Sequence, residues 1–102
     1  MKTIKQLGIS PAPWTMVVED KRDYRLFSVE AENGAGIADF DCCPEQFDTH
    51  EGFANASLIS AAPDLYEAAR RAYMFLAHSS LMGAAEIRKA LEDALLKAGG
   101  AE

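Results

Sequence analysis

A chain of 102 residues, 49% hydrophobic and 25% charged, has the size and composition of one globular domain that buries a core without disulfides or metals. Its net charge of −6, from 10 basic and 16 acidic residues, argues against nucleic acid as a partner, because that affinity comes largely from neutralising phosphates. No run reaches the ~18 apolar residues of a membrane span, and the N-terminus lacks the apolar core of a signal peptide. A cytoplasmic protein with no membrane partner is expected.

In chain order, residues 1–10 read as a loose arm or an edge strand, with Ile4, Leu7 and Ile9 between Lys2 and Lys5. Pro11 and Pro13 set an extended entry into Trp14, and Trp14-Thr15-Met16-Val17-Val18 has the β-branched and aromatic content of a strand. The charged run Glu19-Asp20-Lys21-Arg22-Asp23 reads as a turn, and Tyr24 to Glu30 as a second strand. Asn33-Gly34-Ala35-Gly36 predicts a hairpin turn, since Asn-Gly readily takes positive φ. Ile37 to Asp41 follows as a third strand. The simplest assembly over 11–43 is an antiparallel three-stranded meander with one face needing cover.

The cover is expected from helices over 44–62, 63–79 and 80–99. Pro44 suits a first helical turn, and Phe47, Ala54, Leu58 and Ala61 share one face. Gly52 weakens this helix, which places its start late. Pro63 cannot continue it, because it lacks an N–H and its ring clashes with the preceding turn. Proline suits the start of a new helix, and Asp64 and Glu67 complement that helix's dipole. Leu65, Ala69, Ala72 and Leu76 predict its apolar stripe, flanked by Tyr66 and Tyr73. The last helix, from about Met82 to Ala98, is expected to bury Ile87, Leu91, Ala94, Leu95 and Ala98 and to stop at Gly99-Gly100. Arg88/Glu92, Lys89/Asp93 and Asp93/Lys97 form i,i+4 pairs on its outer face. The fold class expected is α+β, a single domain over 1–102.

The run Asn55-Ala56-Ser57-Leu58-Ile59-Ser60-Ala61-Ala62-Pro63-Asp64-Leu65 resembles the signature of small proteins encoded by tailed bacteriophages and prophages. Members carry a Pro-rich lead-in to a Trp, matched here by Pro11-Ala12-Pro13-Trp14, then a short β region and an Asn-Ala-x-Leu-Ile-x-Ala-Ala-Pro-x-Leu helix break. The resemblance spans about residues 11 to 76. Ser57 stands where Arg is common and Tyr66 where Leu is common. The resemblance implies a phage origin and no particular chemistry.

No catalytic group converges in the sequence. Asp39 and Asp41 share a strand face, about 7 Å apart by strand geometry, and read as the wet side of a half-buried sheet. Cys42, Cys43, Asp48 and His50 are types that zinc accepts, but adjacent cysteines do not match a closed site, and a disulfide between them is strained. Free thiols fit a reducing compartment. His78-Ser79-Ser80 lacks a nucleophile motif. Trp14 reads as a core anchor between sheet and helices.

The expected function is therefore binding to a host or phage protein, without catalysis or cofactor, with a homodimer through the helices as a further expectation. The interaction surface expected is Tyr66 and Tyr73 on one helix face with the acidic Glu45, Asp48 and Glu51. The alternative is sequestration of a nucleotide-like ligand, for which Arg22, Arg25, Arg70 and Arg71 are the available cations.

Overall fold

The three strands lie where the β-branched and aromatic runs are. In a computed structural model, which describes residues 1–20, 22, 25–42 and 49–100 (without the side chains of residues 40–42, 49 and 50), they are β1 (Thr15–Asp20), β2 (Arg25–Glu30) and β3 (Gly36–Cys42). Their order is β1-β2-β3, and both pairings are antiparallel. The helices are α1 (Ile4–Leu7), α2 (Thr49–Ser60), α3 (Ala62–Leu76) and α4 (Ala84–Lys97). The fold is α+β, with the three long helices C-terminal to the sheet. The chain divides into a sheet unit, Ser10–Pro63, and a helical unit, Met1–Ile9 with Asp64–Glu102.

In the sheet unit, β1 meets β2 in continuous register from Thr15 opposite Glu30 to Asp20 opposite Arg25. Between β2 and β3 the register shifts at Val29/Glu30, which inserts Ile37 as an extra residue. The connecting turn is built by local polar groups. Asn33 Oδ1 accepts from Ala35 N at 3.0 Å, and Gly34 sits at φ +85°, a conformation costly for any residue with a Cβ. Period-two alternation sends Phe27 and Val29 to one face, where both are buried with Ala56 of α2. Trp14, Met16, Ile37 and Ile59 pack around them. Trp14 is thus part of the core, and its indole Nε1 donates to the Ser10 carbonyl at 3.0 Å.

The face that α2 turns to the sheet is not the expected one. Gly52 and Ala56 are buried and Ile59 half-buried, whereas Ala54 is exposed and Leu58 is 64% exposed. Small residues win this face because they let the helix backbone come close to Phe27 and Val29, where a leucine would hold it off. Phe53 meets Phe27 edge to face, ring centroids 6.0 Å apart, and Ser57 Oγ lies 3.9 Å from Met16 Sδ. Gly52, expected to weaken the helix, contributes to its contact surface instead. Of the rest of the expected stripe, Ala61 is half-buried and Phe47 lies outside the described residues.

In the helical unit the N-terminal segment forms α1 rather than an arm or edge strand. Thr3 and Gln6 make a reciprocal capping box, Gln6 N to Thr3 Oγ1 at 3.2 Å and Thr3 N to Gln6 Oε1 at 2.9 Å, and Gly8 ends the turn at φ +73°. The break between α2 and α3 falls at Ala61, whose N–H is shared between the Ser57 and Leu58 carbonyls at 3.2 Å each. Pro63 occupies the first turn of α3, as its missing N–H requires. At the other end of the chain, Gly100 N donates to Leu95 O at 2.8 Å and Gly99 N to Leu96 O at 3.0 Å, with Gly99 at φ +92°. This paired arrangement closes α4 where Gly99-Gly100 predicts its stop.

Candidate interaction surface

The buried stripe of α3 is Tyr66 with the half-buried Ala69, Ala72, Tyr73 and Leu76, while Leu65 of the expected stripe is about half exposed. In α4, Ala84 and Leu95 are buried and Arg88 and Leu91 half-buried. Ile87, Ala94 and Ala98, expected inside, are exposed. α4 is therefore turned by about one residue from the stripe its sequence suggests and α3 departs from its own at Leu65, while Ala69, Ala72, Leu76, Leu91 and Leu95 hold on both readings.

Tyr66 explains the rotation of α3. It is 8% exposed, and its hydroxyl donates to the Lys2 carbonyl. Burial pushes its pKa up against the attraction of Arg70. Lys2 N in turn donates to Gly100 O at 3.0 Å. A Cβ on Gly100 would lie 2.7 Å from the Tyr66 hydroxyl and 2.8 Å from the Leu95 carbonyl, so glycine is required there by close approach. The two ends of the chain and α3 are thus joined by one polar clasp, and Tyr66 is used inside the unit.

The charged side chains of α3 and α4 are also engaged locally. Glu67 takes Arg70 in a fork, 2.7 Å to Nη2 and 3.0 Å to Nε, and Arg71 Nε at 3.2 Å. The hydrogen bond from Arg70 is the main reason its carboxyl is held below the ordinary range. Arg70 Nη1 also lies 3.1 Å from Met74 Sδ. Lys89 pairs with Asp93 at 2.9 Å as the spacing predicts. Arg88 instead reaches back to the Leu76 and Ala77 carbonyls at 3.3 and 3.4 Å, satisfying groups that the end of α3 leaves open. That contact holds the start of α4 to the end of α3.

At this joint the apolar side chains turn outward. Phe75 is 79% exposed, Leu81 73%, Met82 fully, and Met74 and Ile87 more than half. The turn between the helices is ordered by Ser79 N on Leu76 O at 3.1 Å, Leu81 N on Ser79 Oγ at 3.2 Å and Ala84 N on Leu81 O at 3.1 Å. Five large apolar residues in and beside the turn between α3 and α4 are thus exposed. None of the five belongs to the interaction surface expected from the sequence, and Ile87 is among the residues expected inside. The signal was present in Ala72-Tyr73-Met74-Phe75-Leu76-Ala77, a six-residue apolar run longer than one helical turn, which a single buried stripe cannot absorb.

The other candidates are placed as follows. Tyr73 is half-buried and Glu51 is exposed in the first turn of α2, while Glu45 and Asp48 lie outside the described residues. So do Cys43 and the side chains of Asp41, Cys42 and His50, which leaves the cysteine–histidine group without a described geometry. Asp39 is exposed on β3 opposite Ser28. Among the described residues no three His, Cys, Asp or Glu side chains group as metal ligands. Arg25 Nε pairs with Asp20 Oδ1 at 2.6 Å in the sheet unit, and Arg70 and Arg71 share Glu67 in the helical unit. No helix among the described residues is long and apolar enough to cross a membrane.

Neither the curated proteins nor the solved structures include a match to this chain. The model of the family described as Salmonella phage P22 protein Y8K6 matches residues 1–102, and the chain belongs to that phage protein family.

Proposed function

We propose that this is a phage accessory protein that works in the host cytoplasm by binding another protein, and that it is not an enzyme. The observation that carries the reading is the apolar group Met74, Phe75, Leu81, Met82 and Ile87 at the α3–α4 joint. Exposed aromatic and methionine side chains with polar residues around them suit protein recognition, since Phe offers a large rigid apolar area and Met adapts its shape. Tyr73 borders the same helix end. The nucleotide-sequestering alternative has less support, because Arg25, Arg70 and Arg71 each already face a carboxylate.

The test is a pull-down from host lysate with the full chain and with Phe75→Asp, both checked for native helix content. A protein held at fixed stoichiometry by the natural chain and lost with Phe75→Asp supports the reading. Retention by both chains, or by neither, argues against this surface as the site of action.

A further inference from the structure

We infer that the face of the sheet turned away from α2 is a docking surface for a basic segment of another protein, with an arginine seated over Ser28 between Glu30 and Asp39. The inference rests on the sheet unit alone and stands apart from the surface proposed at the α3–α4 joint.

Strand register builds this face row by row. Phe27 and Val29 are buried with Ala56 of α2, so Leu26, Ser28 and Glu30 take the opposite face. Val17 and Asp39 stand opposite Ser28, Thr15 and Gly36 opposite Glu30, and Glu19 and Asp41 hold the positions opposite Leu26. Opposite Cβ atoms in a sheet lie about 5 Å apart and diagonal positions about 7–8 Å, which gathers Glu30 and Asp39 around Ser28. These nine register positions carry four acidic residues and no Lys or Arg.

Ser28 supplies an independent observation. It is only 9% exposed, yet among the described residues no side-chain hydrogen bond or ion pair reaches Ser28, Glu30 or Asp39. No fully enclosed polar side-chain atom among those residues lacks a partner, so the Ser28 hydroxyl opens onto the face. A hydroxyl at the base of a notch, with the two exposed carboxylates of Glu30 and Asp39 on its rim, accepts hydrogen bonds and attracts positive charge. A guanidinium answers both, because its planar fork of five N–H donors reaches several acceptors at once, whereas an ammonium is a compact point charge. Val17 and Leu26, half-buried beside Ser28, offer apolar contact to the arginine stem. Anionic occupants are repelled. The sheet unit carries ten acidic and three basic residues, net −7, and the helical unit six acidic and seven basic, net +1, which together give the chain's −6.

The deciding measurement is fluorescence anisotropy of a labelled arginine–glycine peptide, and of its lysine–glycine counterpart, titrated with the full chain. The arginine peptide should bind the more tightly. Asp39→Asn and Glu30→Gln should each weaken it by roughly tenfold, as loss of a charged hydrogen-bond acceptor does. Ser28→Ala should weaken it by less. Glu86→Gln removes the same charge from an exposed position on α4 and should leave binding unchanged. Glu30 and Asp39 are exposed, so their carboxamides keep the fold, which helix content verifies. No binding of the arginine peptide, equal affinity for the lysine peptide, or an equal loss with Glu86→Gln overturns the inference. Capture of a host protein through Phe75 is read separately and survives any of these results.

Discussion

The two units of this chain reach stability by different means. The sheet unit encloses Phe27 and Val29 under Ala56 and surrounds them with Trp14, Met16, Ile37 and Ile59. The helical unit joins its parts through backbone and hydroxyl groups, Tyr66 to Lys2 and Lys2 to Gly100, while Phe75, Leu81 and Met82 face outward. The sheet unit thus has a buried apolar cluster, though Val18, Phe53 and Leu58 stay exposed on it, while the helical unit carries the most exposed apolar side chains. The difference also follows charge, net −7 against net +1.

Several changes break or sharpen this contrast. The largest effect is expected from Phe27→Ala, which removes a ring at 2% exposure and should cost about 3–5 kcal/mol in chemical denaturation. A cost under ~1 kcal/mol, typical of surface substitutions, would mean that the sheet unit is not organised around this core. Gly100→Ala comes next. The new methyl would meet the Leu95 carbonyl at 2.8 Å, and forced overpacking of this kind costs about 1–3 kcal/mol. Amide exchange should accelerate at Lys2 and Gly100, the residues of the clasp, and unchanged exchange would show that the clasp does not hold the ends.

Tyr66→Phe keeps the ring and deletes the hydroxyl that donates to Lys2. A loss of about 1 kcal/mol is expected, and an unchanged midpoint of denaturation would assign the burial of Tyr66 to packing alone. The smallest effect is on the acid side. Glu67 is held below its ordinary pKa chiefly by Arg70, so its contribution is complete above the unfolded carboxylate's pKa. It is lost as pH falls through the lower folded value. Glu67→Gln should flatten that acid slope slightly, read by thermal unfolding at a series of pH values.

Much of the local structure was legible beforehand because its causes are local. The three strands follow from β-branched runs punctuated by Asn33-Gly34, the stop of α4 from Gly99-Gly100, and the α2–α3 break from Pro63. The segment read as an arm or edge strand is instead α1, whose local cause is the Thr3–Gln6 capping box followed by Gly8. The candidate surface was less accessible. Tyr66 and Tyr73 lie on one helix face in the sequence, but only the position of the Lys2 carbonyl decides that Tyr66 is turned inward. The pairing of Arg88 with the end of α3, instead of with Glu92, likewise depends on a residue 12 positions away.

The sequence by itself determined the class, the order of the elements after α1 and most of their ends, because caps, turns and strand alternation act over a few residues. Only the tertiary structure decided how far each helix is rotated. Alanine-rich helices with more than one apolar stripe present faces of similar hydrophobicity, so the choice falls to fit. Ala56 wins over Leu58 because it lets α2 approach the sheet, Tyr66 over Leu65 because its hydroxyl finds an acceptor, and Phe75 is left exposed.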